Sequence, residues 1–222
     1  MAGYQDFIEF YDDFLGDRSL LETNTENNPW NMAVTGAGPP TFTIGGINGL
    51  ATLAHSTDVQ VQNVCMDFGD DLNFDIDLLQ YVEFGVVLGQ AALDATTMYA
   101  MGLASARNDA IDSLAEQALF RGIGADSTTN LVVETDDGTN NNDDVATGTT
   151  FLNVQKKFRI SFTHGTADVR FYVDDSRVAA GTTFDMSNYT GGLQPYFQIQ
   201  KTSDSNADSL IVDYIHIVSR RA

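Results

Sequence analysis

Cysteine occurs once in this chain, at Cys65, so no disulfide can form within it. Folding in a reducing cytoplasm is the simplest expectation for such a sequence. Proline is also scarce, with four residues, which leaves turns to nineteen glycines and to Asn and Asp. Basic residues are few, 11 against 31 acidic, and the formal net charge is −20. A surface of that sign repels phosphate backbones, so no nucleic-acid partner is expected. Only Arg18, Arg107 and Arg121 precede Lys156, so the first two-thirds is almost purely acidic. A solvated face is the plain account of that asymmetry.

Long apolar runs are missing too. The longest weakly charged stretch, Phe84 to Ala106, carries Asp94 near its middle and no basic flank, which argues against a membrane span. The opening Met-Ala-Gly-Tyr-Gln-Asp has no basic segment leading into an apolar core, so no signal peptide is expected. His55, His164 and His216 lack the spacing of zinc ligands, and no Gly-x-Ser-x-Gly elbow occurs. Gly45-Gly-Ile-Asn-Gly49 is followed by no Lys-Ser or Lys-Thr pair, so it is not a phosphate loop. No cofactor is expected.

What is present is period-two alternation. Phe158, Ile160 and Phe162 alternate with Lys157, Arg159 and Ser161, and Val169, Phe171 and Val173 alternate with Arg170 and Tyr172. Short alternating segments with one wet face, joined by polar turns, predict antiparallel sheets packed face to face. One segment reads as helix. Asn108 is a capping residue, and Ile111, Leu114, Ala115 and Ala118 follow at helical spacing. It is expected as a short insertion between strands. With no linker or internal repeat, residues 1–222 read as one domain, with 1–30 as a possible N-terminal arm.

The ending carries a resemblance. Phe158-Arg-Ile-Ser-Phe, Val169-Arg-Phe-Tyr-Val-Asp-Asp, Leu193-Gln-Pro-Tyr-Phe-Gln-Ile-Gln-Lys and Leu210-Ile-Val-Asp-Tyr-Ile-His-Ile resemble the closing strands of concanavalin A-like lectin/glucanase jelly rolls. They look closest to the versions in tailed-phage virion proteins. Asp175 departs from the pattern, since glycine is usual at that hairpin position. The resemblance implies an all-β, two-sheet jelly roll. It implies second a non-enzymatic virion role: a decoration or cement subunit, a homo-oligomer folded in the host cytoplasm and attached to the major capsid protein or another virion protein. On that reading Tyr4, Phe7, Phe10, Tyr11, Phe14, Arg220 and Arg221 are the docking candidates.

Two rival functions have their own residues. Arg159, Arg170, Tyr172, Tyr196, Gln198 and Gln200 form an expected polar sheet face suited to a glycan, in a lectin-like module. Glucanases on this fold carry a Glu-x-Asp-x-(x)-Glu run. The nearest match is Asp75-Ile-Asp77, where the third acid is missing, so no catalytic residue is assigned. The oxygen-rich stretch around Asp136, Asp137, Asp143 and Asp144 is the first place to look for calcium. It lacks the Asp-x-Asn-x-Asp-Gly order of a helix-loop-helix site, and a metal-free acidic hairpin is the expected state.

Overall fold

The alternation along the last third becomes two facing sheets in a computed structural model. It describes residues 6–15, 29–44, 49–70, 74–89, 94–126, 130–151 and 153–222. In chain order the described strands are β1 (Phe7–Asp12), β2 (Asn31–Thr35), β3 (Thr41–Ile44), β4 (Ala51–Ala54), β5 (Gln62–Asp67), β6 (Phe74–Asp75), β7 (Leu79–Leu88) and β8 (Thr97–Ala104). There follow β9 (Gln117–Ile123), β10 (Asn130–Asp136), β11 (Asn141–Thr150), β12 (Lys156–Ser161), β13 (Arg170–Val173), β14 (Ser176–Arg177), β15 (Gly192–Lys201) and β16 (Ser209–Arg220). The first sheet runs β14-β13-β12-β7-β16-β4-β3, with β1 also paired to β16. The second runs β11-β10-β9-β8-β15-β5-β2, with β6 on β15. Every pairing is antiparallel, as the turn-rich, helix-poor sequence predicts.

Phe158, Ile160, Phe171 and Val173 enter one interior shared with Phe120, Phe197 and Ile199 of the second sheet. Along β16 the inward positions switch from Leu210 and Val212 to Ile215 and Ile217. A bulge between Val212 and Tyr214 in the pairing with β7 absorbs the change of phase. Asp174 and Asp175, the two residues between β13 and β14, both take positive φ, 47° and 64°. That is the backbone of a two-residue primed hairpin turn. Lys156 and Lys157 hold the two carboxylates at 2.6 and 2.8 Å, which helps Asp175 stand where glycine is usual.

The expected helix over 108–118 is a single 3₁₀ turn, Ile111–Ser113. Ala118 lies instead inside β9 and faces the core. The apolar spacing has a different use. Ile111 and Leu114 pack on Cys65, Ala100, Ala104, Leu119 and Tyr196, so segment 105–116 is a strap laid across the outer face of the second sheet. Among the described residues no helix is long and apolar enough to cross a membrane.

Beside β4 the fold buries two basic side chains. Lys201 is fully buried and donates to the carbonyls of Ser56 (2.6 Å), Asp204 (3.1 Å) and Asn206 (3.1 Å), tying two loops together. Burial lowers the neighbouring His55 from 6.5 to about 4, and the Lys201 charge adds to the effect. The unfolded chain thus takes up this proton near pH 6.5 and the folded chain only near pH 4. Stability falls as pH drops through that window and levels off below it, by about 3 kcal/mol at about 1.36 kcal/mol per unit. Urea midpoints between pH 7 and 4 should show the fall, and His55→Gln should flatten it. An unchanged slope in that variant would remove His55 as the cause.

Candidate functional site

The most developed site lies where the strap meets β9, β10 and β11 on the outer face of the second sheet. Arg121 of β9 points outward, since its neighbours Phe120 and Gly122 face the interior. Gly122 is required there, because a Cβ would meet the ring of Tyr99 at 2.1 Å. Outward residues alternate along β10 as Val132, Glu134 and Asp136. Between the pairs Val133↔Val145 and Thr135↔Asn142, β10 contributes one residue and β11 two. This bulge sets both Asp143 and Asp144 against Glu134, with Asp144 at φ 47°. Consecutive strand residues normally face opposite ways. The bulge brings carboxylate oxygens of Glu134, Asp143 and Asp144 within 4.8 Å of one another.

Arg121, only 2% exposed, neutralises part of this charge. Its Nη1 donates to Glu134 and its Nη2 to Asp112 of the strap, and Nη1 lies 3.7 Å from Asp144 Oδ1. Gln117 donates its amide N–H to the other oxygen of Glu134. Burial raises the Asp144 carboxyl above its ordinary value. Asp143, Asp112 and Asp126 push the same way, against the pull of Arg121. These residues, with Leu114, Ile123, Asp136 and Asn141, line a cavity of about 340 Å³. A shallower depression of about 190 Å³, lined by Ile123, Asp126, Asn130, Val132, Asp144 and Ala146, continues it. Gln117 Oε1, Arg121 Nε and Asp144 Oδ1 are buried with no hydrogen-bond partner. Buried polar groups ordinarily find partners, so an incomplete set at a pocket wall marks a place for ligand atoms.

The sequence-derived candidates divide around this site. Of the four calcium candidates, Asp136, Asp143 and Asp144 line the pocket. Asp137 does not. Burial would raise its carboxyl, but N–H groups of Asn140, Asn188 and Thr139 outweigh that and hold it below the ordinary range, as the organiser of the β10–β11 turn. Glu134, Asp143 and Asp144 are the oxygen ligands available to a hard cation.

The expected glycan face is not one surface. Arg159, Arg170 and Tyr172 lie on the outer face of the first sheet, with the Arg159 guanidinium 4.7 Å from the Tyr172 ring centre. Tyr196, Gln198 and Gln200 lie on the outer face of the second, beneath the strap. Tyr196 and Gln198 donate to the Asn108 carbonyl at 3.1 Å each, and Gln200 accepts from the N–H of Ile111 at 3.2 Å. Their hydrogen bonds are spent within the chain.

The aromatic arm is likewise divided. Tyr4 lies outside the described residues. Phe10 packs edge-on against Phe68 and Trp30, and Phe14 is buried against Trp30, so neither is a docking residue. Phe7 and Tyr11 stay exposed, 44% and 59%, on β1. Arg220 and Arg221 are exposed beyond them. Asp75, at the end of β6, and Asp77, in the turn that follows, are exposed; Asp75 accepts the N–H of Asp77 at 3.0 Å, and neither lines the pocket. Arg121 and Glu134, the centre of the site, are not among the sequence-derived candidates. The alternation in Leu131-Val-Val-Glu-Thr-Asp is the signal that places Glu134 on a sheet face.

No protein-family model and no curated protein sequence matches the chain. Solved structures do. The carbohydrate recognition domain of Emp47p superposes with a TM-score of 0.62 at 12% identity, covering 91% of this chain and 93% of its own. A β-glucanase of Bacillus licheniformis gives 0.63 at 10% identity, covering 96% and 98%. A protein of unknown function from Shewanella oneidensis MR-1 gives 0.62 at 15% identity, covering 97% and 89%. Nothing in these comparisons links the chain to a tailed-phage virion protein. At such identities the likeness carries the fold alone, and the chain has the concanavalin A-like jelly-roll β-sandwich that lectin and glucanase domains share.

Proposed function

We propose that this chain is a carbohydrate-binding module that seats its glycan in the Arg121–Glu134 pocket and the depression beside it. The observation that carries the reading is the unsatisfied polar wall: Gln117 and Asp144 present buried acceptor atoms without donors in a cavity of about 340 Å³. Glycans supply hydroxyl donors in quantity, and their C–H faces suit the small apolar patches of Leu114, Ile123, Val132 and Ala146. A carbohydrate recognition domain and a glucanase on the same fold support the choice of ligand class.

Binding without turnover is part of the proposal. Both oxygens of Glu134 are held, one by Arg121 and one by Gln117, and the Asp75–Asp77 pair lies elsewhere. The capsid-decoration role implied by the resemblance is the weaker reading, because Phe14 is buried in this chain's own core and Phe10 packs against it. A broad glycan array followed by titration calorimetry tests the proposal. At least one glycan should be retained at millimolar concentration without release of reducing ends, and Asp144→Ala should weaken it about tenfold, the worth of about 1.4 kcal/mol. Retention of nothing at that concentration would end the carbohydrate reading.

A further inference from the structure

The pocket is built for donors and for positive charge. Six carboxylates line it, those of Asp112, Asp126, Glu134, Asp136, Asp143 and Asp144, against the single guanidinium of Arg121. That guanidinium is committed, with Nη1 on Glu134 and Nη2 on Asp112. Gln117, 2% exposed, gives its N–H to Glu134 and leaves Oε1 with no donor. Asp144 Oδ1 lacks one as well, since 3.7 Å to Arg121 Nη1 is too long for a hydrogen bond. The one unpartnered donor, Arg121 Nε, belongs to a side chain already bound to two carboxylates.

A neutral hydroxyl brings one donor and two lone pairs, and those lone pairs would face more carboxylate oxygens. An ammonium brings three N–H donors, no acceptor and a positive charge. Charge attraction in a half-enclosed site is several times stronger than in bulk water. We infer that the glycan this pocket selects carries a free, protonated amino group, an amino sugar whose nitrogen sits at Asp144 on the carboxylate wall of the pocket. The inference rests on the carbohydrate-binding reading and narrows it. A bound ammonium also offsets the Asp143, Asp112 and Asp126 charges that push the Asp144 carboxyl up. A divalent cation at Glu134, Asp143 and Asp144 is the competing occupant. It is disfavoured because the Arg121 guanidinium already lies on Glu134 and close to Asp144.

Titration calorimetry on the full chain, in chelator, separates the cases with three probes of equal length: a fully deacetylated glucosamine oligomer, its N-acetylated form, and a neutral glucose oligomer. The deacetylated oligomer should bind at least tenfold tighter than either neutral one. That preference should shrink with added salt, disappear as pH rises through the amine's own pKa, and fall below threefold in Asp144→Asn. Equal binding of all three overturns the amino-sugar inference and leaves the wider carbohydrate reading standing. Binding of none of them, with other glycans retained on the array, overturns only the inference, and a blank array overturns both. Calcium binding that shuts out the glucosamine oligomer after the chelator is removed also overturns it, in favour of a metal site.

Discussion

Replacing Arg121 with methionine should cost the folded protein about 3–5 kcal/mol, a large part of the stability a domain of this kind possesses. The change removes the guanidinium from Glu134, whose side chain is 7% exposed, and leaves a buried carboxylate with only the Gln117 amide as partner. Desolvating an ion is expensive, and losing one member of a buried pair leaves that cost uncompensated. The contact with Asp112 adds little to the loss, because that side chain is 64% exposed and water replaces the guanidinium. Urea denaturation at neutral pH measures the effect. The pairing is identified by a second variant: Arg121→Met with Glu134→Leu removes both charges and should recover most of the deficit. Equal instability in the single and double variants would mean that Arg121 acts through packing and not through Glu134.

The sandwich was legible in the sequence for a local reason. Side chains two residues apart share a face, so Phe158, Ile160, Phe171 and Val173 declare their common interior without knowledge of any distant residue. The same rule puts Tyr196, Gln198 and Gln200 on an outer face, which is correct. What it cannot supply is the strap. Ile111 and Leu114 have helical spacing, yet their partners include Cys65 and Tyr196, which lie far away in the chain. Tertiary packing overrides the short helical pattern, and the strap then buries a face that alternation alone reads as wet. The pocket was less legible still. The acidic run Asp136 to Asp144 is conspicuous, but its chemistry depends on a bulge in the β10–β11 pairing and on an arginine fifteen residues earlier than Asp136. Both are facts of pairing between strands, and a linear pattern holds no record of them. The inward packing of Phe10 and Phe14 is hidden for a related reason, since the ring they pack on, Trp30, follows only after an intervening polar stretch.

Phe84→Ala should destabilise the protein by about 3–5 kcal/mol, whereas Phe7→Ala on the exposed edge strand should cost under about 1 kcal/mol. Phe84 stands at the centre of the interior. Its ring stacks on Phe158 of the same sheet at 5.7 Å and meets Phe197 and Phe120 of the other sheet edge-on at 5.3 and 6.2 Å. Phe120 in turn contacts Phe158 at 5.0 Å and Phe171 at 5.2 Å, so the missing ring opens a cavity that neighbours locked from both sheets cannot close. The consequence reaches the outer face, because Phe120 and Arg121 are consecutive in β9 and one anchors the strand that aims the other. Below its unfolding midpoint the variant should therefore also bind glycan several-fold more weakly, although Phe84 lines neither pocket. Unchanged affinity together with lowered stability would show that the pocket is held by its own ion pairs and the β11 bulge, independently of the core behind it.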